Sequence, residues 1–437
     1  MLIIILMIGL GFTSLFYSSE IQALYFIACI LLLSVIVINN IENPLLKNIM
    51  FLAFLLRFSL ALLQSYTPID LPGAGADSVM FETYGWANAQ AWLSGKSGVS
   101  TTGAFYYSAF IGVVYYFFGR VPLIIQLINV IFGLLIVYVT YVLSYELSES
   151  KRASLIAALI AALFPTLFIF SAITIRENFL IFFSVFSLVL FIKWLRSGNY
   201  FYVLGSIFAT IAMALFHGAM LFVNWFQLLC LGIYSPKEKI LKLNLKQLIA
   251  FSIIIVIFVL VLNFDIISYK APRNLEGLIS LDTFQSMVGD RTIGRTHYLE
   301  NFIPGSYYDL IWHTPIRALY LMFTPFPWMI DNALDLLGFI EVIFYLFLIY
   351  YGFKGIKIIY SQKKLPVISM IVIISSIIVI FAWGTVNYGT AWRHKVKTAP
   401  FIISAASIGL ASSKQWNRLF PYDSEKNDII INEKRQL

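Results

Sequence analysis

Charge is scarce in this 437-residue chain: Asp, Glu, Lys and Arg make up 12% of it, about half of what a soluble domain of that length carries. Cysteine is nearly absent, and the two that occur, Cys29 and Cys230, lie in apolar runs away from any His or acid cluster. Neither a disulfide framework nor a thiolate metal site is indicated. Histidine occurs four times, and His297 and His313 stand sixteen residues apart without the spacing of a zinc ligand pair. No ten-residue alternation of polar and apolar positions recurs, which sets a β-barrel aside. There is no P-loop and no GxGxxG opening a βαβ unit, so no nucleotide site is expected. The net charge of +8 is spread through short connections, with no basic stripe interleaved with aromatics, which argues against nucleic acid as a partner. Internal repeats, low-complexity tracts and an appended soluble domain are also missing.

What the chain has instead is apolar surface: 60% of its residues are hydrophobic and 17% aromatic. Apolar runs close to the ~20 residues that cross a bilayer recur along nearly its whole length. Helices satisfy their own backbone groups in lipid, so the reading is an all-α polytopic membrane protein. Twelve spans are expected, near 2 to 17, 21 to 39, 48 to 66, 122 to 144, 153 to 172, 178 to 195, 201 to 216, 218 to 234, 247 to 264, 333 to 353, 366 to 384 and 398 to 413. The first lacks a basic n-region and a small-residue cleavage site, and is read as a retained span. Of the Lys and Arg residues in the connections, 18 fall on one side and 11 on the other, with Arg57 inside a span. The richer side is assigned to the cytoplasm together with both termini, giving a multi-pass protein of the cell membrane. Residues 1–413 then form one transmembrane domain and 414–437 a charged cytoplasmic tail. Two outer segments are too long to be turns, 67 to 121 and 265 to 332, and long ordered loops carry function.

In the first outer segment, Met80, Tyr84, Ala87 and Ala91 recur at helical spacing, predicting an amphipathic helix in the outer interface. Asp77 stands at its start. Two roles are open to it: a helix cap, or a general base sheltered near the membrane surface. Glu82, five residues on, points to another face and reads as a solvated acid. In the second segment Arg291, Arg295, His297 and Arg317 are residue types that bind anions, although each taken alone reads as a solvated loop charge. Prolines and Trp328 in "FTPFPWMI" suit a helix broken at the interface. "VNYGTAWRHKVKTAP" sets Arg393, His394, Lys395 and Lys397 at the outer mouth of the last span. Binding a lipid-linked phosphate explains such charge on that face, and snorkelling to anionic headgroups is the competing account. "SAITIRENFL" places Arg176 and Glu177 at another outer junction, where Glu177 suits the first turn of a helix. His217, in "ALFHGAML", reads as a packing residue at an outer turn.

Taken in order, an acid in the first outer loop, "Y...A..WLSG", the aromatic turn "AFYYSAFIGVVYYFFGR", "IIQLINVIFGLL", "SKRASLIAALIAALFPTLFIFSA" and "IRENF" resemble the GT-C superfamily of integral-membrane glycosyltransferases, of the protein O-mannosyltransferase and aminoarabinose-transferase type. The arrangement covers residues 77 to 216, and the rest follows by topology and "WRHK" alone. The chain lacks a second acid beside Asp77 and has two additional spans before the loop, which leaves use of a divalent cation open; no metal ligands are assigned. The resemblance implies a sugar donor on a polyprenyl phosphate, an acceptor that is lipid, glycan or protein, and surrounding membrane lipids as partners. It implies Asp77 as catalytic base, with Arg176, Arg393 and Lys395 on the donor phosphate. Glu82, Glu177, His217, Arg291, Arg295 and His297 are additional candidates. The alternatives are an O-antigen or capsule polymerase, which would not need Asp77, a lipid-linked saccharide flippase, for which Arg57 is the one mid-span charge, and a non-catalytic assembly protein.

Overall fold

The computed structural model describes residues 19–99, 106–241, 252, 280–289 and 296–413. The expected spans at 2 to 17 and 247 to 264, the tail from 414, and Arg291 and Arg295 lie outside the described residues. In chain order the helices are α1 (Ser19–Asn39), α2 (Pro44–Tyr66), α3 (Ala76–Leu93), α4 (Tyr106–Phe118), α5 (Pro122–Ser148), α6 (Lys151–Leu163), α7 (Pro165–Phe170), α8 (Glu177–Ser197), α9 (Tyr200–Phe216), α10 (Trp225–Ile233), α11 (Leu281–Gly289), α12 (Tyr307–Phe323), α13 (Ala333–Tyr360), α14 (Lys364–Trp383), α15 (Tyr388–Lys395) and α16 (Ala399–Ser412). The strands among the described residues are two short ones, β1 (Tyr234–Ser235) and β2 (Ile240–Leu241), paired antiparallel with Tyr234 opposite Leu241. Five helices, α2, α5, α8, α13 and α14, are long and apolar enough to cross a membrane. Shorter apolar helices lie within α1, α4, α9 and Gly218–Ile233.

Local signals set many helix starts. Pro44 and Pro122 occupy first-turn positions where no N–H is required, and Asn43 and Ser150 cap α2 and α6 by accepting from Leu46 and Ala153. Two expected spans are not single helices. The run 153 to 172 is broken at Phe164 because Pro165 cannot donate to the carbonyl four residues earlier, and α7 restarts from it. The run 218 to 234 is a 3₁₀ segment over Gly218–Asn224 followed by the nine residues of α10.

The break at Pro165 accounts for the one charge expected inside a span. Ala161 would have bonded to the missing N–H of Pro165. Arg57, fully buried in α2, donates to the carbonyls of Ala161 at 3.2 Å, Ala162 at 3.0 Å and Ala53 at 3.2 Å. A side chain at Gly133 would lie 2.9 Å from Arg57 Nε, so the glycine in α5 makes room for the guanidinium.

Lipid supplies little hydrophobic force between helices, and close backbone contact through small residues takes its place. Cβ atoms at Gly355 and Gly409 would meet the carbonyls of Ala405 and Tyr351 at 1.9 and 2.1 Å, so α13 and α16 cross backbone to backbone. The same device pairs α3 with α4. A Cβ at Gly85 would lie 2.4 Å from Ile111, and one at Gly112 would lie 2.9 Å from the Cβ of Asn88. The segment expected as the first outer loop therefore holds a pair of packed helices, and its aromatic "turn" is the helix α4. The buried stripe of α3 is Ser78, Phe81, Gly85, Asn88 and Ala89, while Met80, Tyr84, Ala87 and Ala91 are half-exposed. The second outer segment holds another unexpected helix, α12, with Pro315 inside it.

Ion-paired charges gather toward two ends of the bundle. At one, Glu146 faces Arg196 at 3.2 Å and Lys193 at 3.9 Å, and Lys363 bonds to Glu149 at 2.8 Å. A pocket of about 360 Å³, lined by Ser148, Ser150, Gln362 and Ser412 among others, opens there. At the other, reached along the 21 residues of α8 (~31 Å), lie Arg176 and Glu177.

Candidate active site

Asp77 lies in the first turn of α3, whose N-cap is Gly75. The helix begins before it, so Asp77 is a first-turn acid rather than the cap. Its carboxylate pairs with Arg393 Nη1, joining the first outer segment to α15 across 316 positions of sequence. The Asp77 side chain is 37% exposed and that of Arg393 15%, so the acid stands at the opening with the cation beneath it.

Arg393 also meets a second acid. Its Nε is 3.1 Å from Glu177 Oε1, and Lys397 Nζ is 3.8 Å from the same oxygen. Glu177 is fully buried at the first position of α8, where unsatisfied backbone N–H groups favour negative charge. Lys397 donates to the Arg393 carbonyl at 3.1 Å and lies 3.0 Å from His394 Nδ1. The His394 ring stacks on Phe381 at 4.3 Å, and His217 meets Phe381 edge-on at 5.1 Å. Arg176 donates to the Phe216 carbonyl at 2.7 Å, and its guanidinium lies 5.1 Å from the centre of the Phe81 ring.

The short helix α15 is held from several directions. Asn387 caps it by accepting from Gly389 at 2.8 Å and Thr390 at 3.3 Å. Backbone bonds from Tyr298 to Val386 (2.8 Å) and from Tyr388 to Thr296 (3.0 Å) tie its start to the second outer segment. Tyr388 donates to Asp335 at the head of α13. Lys395 points away from Asp77 and Glu177 and lies within electrostatic reach of the buried Glu341 in α13. It donates to the Thr324 carbonyl at 3.0 Å and lies 5.6 Å from the Tyr345 ring centre, so it anchors α15 instead of joining the cluster.

Two carboxylates thus face three basic side chains, Arg176, Arg393 and Lys397. Burial opposes the Arg393 charge, but Glu177 and Asp77 outweigh it and hold its pKa above the ordinary arginine value. Burial pushes the Lys397 ammonium down to about 7, against the pull of Glu177, with Arg393 and Arg176 lowering it further. Burial, then Lys397 and Arg393, keep His394 well below the ordinary histidine range, so a neutral imidazole accepts from Lys397. The arrangement is a fixed cationic floor under one solvent-reaching carboxylate. Such a site can hold a phosphate and stabilise charge that develops on it.

Five sequence candidates converge here: Asp77, Arg176, Glu177, His217 and Arg393. Glu82 is elsewhere, clamped by Arg120 at 2.9 and 2.7 Å and by Tyr115 Oη at 3.2 Å. His297 pairs with Glu300 in the second outer segment. Lys397, and not the expected Lys395, is the lysine of the cluster; its place four residues after Arg393, one turn along, is the sequence signal for it. Among the described residues no group of three His, Cys, Asp or Glu side chains is arranged to hold a metal ion.

The family model for dolichyl-phosphate-mannose-protein mannosyltransferase matches residues 87–274, under half of the chain. The matched stretch contains Arg176, Glu177 and His217, and leaves out Asp77 and Arg393. No curated protein is similar enough in sequence to match. In fold the chain is similar to the archaeal oligosaccharyltransferase AglB from Archaeoglobus fulgidus, solved with an inhibitory peptide and a dolichol-phosphate, with a TM-score of 0.51 at 12% identity over 90% of this chain and 54% of that one. A second structure of the Archaeoglobus fulgidus oligosaccharyltransferase, with zinc and sulfate, gives 0.46 at 15% identity over 83% and 48%. The chain spans about half the length of these enzymes. The resemblance to GT-C type membrane glycosyltransferases drawn from the sequence is borne out.

Proposed function

We propose that this protein is a membrane glycosyltransferase that moves a sugar from a polyprenyl-phosphate carrier to an acceptor hydroxyl at the outer face of the membrane, in the synthesis of a cell-surface glycan. The observation that carries the reading is the pairing of Asp77, which reaches solvent, with the more shielded Arg393 over Glu177 and Lys397. In this reading Asp77 accepts the proton of the attacking hydroxyl as the bond to the anomeric carbon forms. The glycosidic C–O bond breaks, and the carrier phosphate leaves with its electron pair. Arg393 and Lys397, with Arg176 behind them, stabilise the negative charge that this oxygen gains. Twelve spans, a cytoplasmic location for both termini and the cell membrane as site of action complete the proposal, on the strength of the Lys and Arg distribution. A family model named for a dolichyl-phosphate-mannose donor and a fold shared with a dolichol-phosphate-bound enzyme fit a lipid-linked donor.

The test is transfer from a radiolabelled polyprenyl-phosphate sugar by membranes containing the Asp77→Asn variant. The amide is nearly isosteric but takes up no proton, and the expected loss is at least about 100-fold. Wild-type transfer at wild-type protein level would remove Asp77 from the mechanism.

A further inference from the structure

Another buried arginine on the same end of the bundle has no counter-ion among the described residues. Arg317, in α12, is 1% exposed. Its Nη2 donates to the Phe302 carbonyl, while Nε and Nη1 have no hydrogen-bond partner. The guanidinium carbon lies 4.7 Å from the centre of the Trp383 ring and 5.8 Å from that of Phe302. His313, one turn before it, stacks on Phe302 at 3.6 Å, and its Nδ1 is also without a partner. The buried Tyr298, within electrostatic reach of Arg317, has an unpartnered hydroxyl. The nearest acid on the same helix as Arg317, Asp309, is occupied by the backbone N–H groups of Gly305 and Ser306, both at 2.8 Å, and by Trp312 Nε1 at 3.1 Å.

A buried cation is normally neutralised by a charged partner, and buried donors without acceptors mark an absent ion or water. Arg57 meets the requirement differently, with three backbone carbonyls. Arg317 has one, and its Nε and Nη1 are left without an acceptor, with the unpartnered His313 and Tyr298 groups within its electrostatic reach. Aromatic faces lower the local dielectric and strengthen whatever anion sits there.

We propose that Arg317, with Tyr298 and His313, forms an oxyanion-binding site, separate from the Asp77–Arg393 cluster, for a phosphoryl or carboxylate group. The site is framed by Trp383 and Phe302, and Trp383 ends the helix that presents Phe381 to His394 and His217. An anion at Arg317 would therefore sit beside the proposed transfer site, without sharing its cations.

The full-length protein in phosphatidylcholine nanodiscs is titrated with inorganic phosphate and with glucuronate at constant ionic strength, and its thermal midpoint is followed. A ligand of the folded state raises the midpoint with concentration. The expected result is a saturable rise in the wild type that persists in Arg393→Gln, where the transfer cluster has lost its central cation, and that is abolished when Arg317→Met is added to the Arg393→Gln background. In Arg317→Lys, which keeps the charge and serves should Arg317→Met fail to fold, half-saturation moves up at least tenfold. Nanodiscs containing phosphatidylglycerol separate the sources. A midpoint already raised there, with no further response to soluble anion, identifies a lipid headgroup phosphate. An undiminished response to phosphate or glucuronate identifies a group borne by a soluble or glycan ligand. Half-saturation in Arg317→Lys equal to that of the wild type overturns the site. So does a wild type that responds to no anion in either disc.

Discussion

Arg57 and Arg393 are both arginines taken out of water by the same bundle, and they are held in opposite ways. Arg57 lies in the middle of α2 and touches only neutral oxygens, the carbonyls of Ala53, Ala161 and Ala162. Arg393 lies at the bundle's end and touches two carboxylates, one of which reaches solvent. The difference separates two uses of a buried charge. One repairs a helix that a proline has broken, and its removal should be felt by the fold. The other is compensated by groups that a substrate can displace or use, and its removal should be felt by the reaction.

The largest effect follows from crossing the two. Arg393→Gln is expected to lower transfer at least about 100-fold, because the charge opposite the leaving phosphate is gone, while Lys397 still faces Glu177 and the protein accumulates. Arg57→Met should do the reverse, costing about 1–3 kcal/mol of stability for carbonyls left without a donor, with unchanged turnover per folded molecule. Thermal midpoints and transfer rates of the two variants, measured side by side, check the split. Equal losses in both readouts would abolish it. Pro165→Ala sharpens the test, since the substituted residue would supply the N–H that the Ala161 carbonyl lacks. Arg57→Met should cost less in that background, as a double-mutant cycle would register.

A smaller effect concerns Lys397, whose charge is poised where that of Arg393 is fixed. Its pKa is about 7 in the fold against an ordinary 10.5. Between those values the unfolded chain keeps a proton that the folded chain has released, so stability rises as pH climbs from about 7 to 10.5. The phosphate-binding charge is lost over the same range. Transfer should therefore decline as pH passes about 7, and Lys397→Arg, which stays charged, should move that decline upward. A pH–rate profile of the two proteins checks it, and coincident profiles would assign the limb to another group.

The sequence carried much of this pattern. Apolar run lengths located most of the long helices to within a few residues, because a helix in lipid must keep its exterior apolar along its whole length. What escaped depended on contacts between distant segments. The face of α3 is chosen by Gly85 meeting Gly112 on α4, so Ser78 and Asn88 turn inward while the more apolar Met80 and Tyr84 stay half-exposed. The break at Pro165 was legible from proline's missing donor, but its repair by Arg57 from another helix was not. Asp77 and Arg393 were each singled out as charges needing a reason, yet no local pattern could show that each is the other's partner. Lys395 and Lys397 take different roles because residues two apart on a helix diverge by about 200°, and a place at the mouth of a span does not say which of them turns toward the acids.

The smallest effect is expected at Glu82, the acid that shares α3 with Asp77. Both acids pair with an arginine, but the pairs differ in what surrounds them. In the Glu82 pair water reaches the cation, with the Arg120 side chain 47% exposed over a Glu82 at 15%, whereas in the Asp77 pair it reaches the acid, at 37% over an Arg393 at 15% that also meets the buried Glu177. Water screens the first pair, and long exposed side chains lose freedom when they are fixed, so Glu82→Gln should cost at most about 1 kcal/mol. The Tyr115 hydroxyl and one Arg120 donor can still bond to the amide oxygen, which limits the loss further. Because Glu82 is a turn away from Asp77 and bonded toward α4, transfer should stay at the wild-type level. A loss of transfer in Glu82→Gln comparable to that in Asp77→Asn would mean that the α3–α4 clamp governs the position of Asp77, and the two acids of this helix could no longer be assigned separate work.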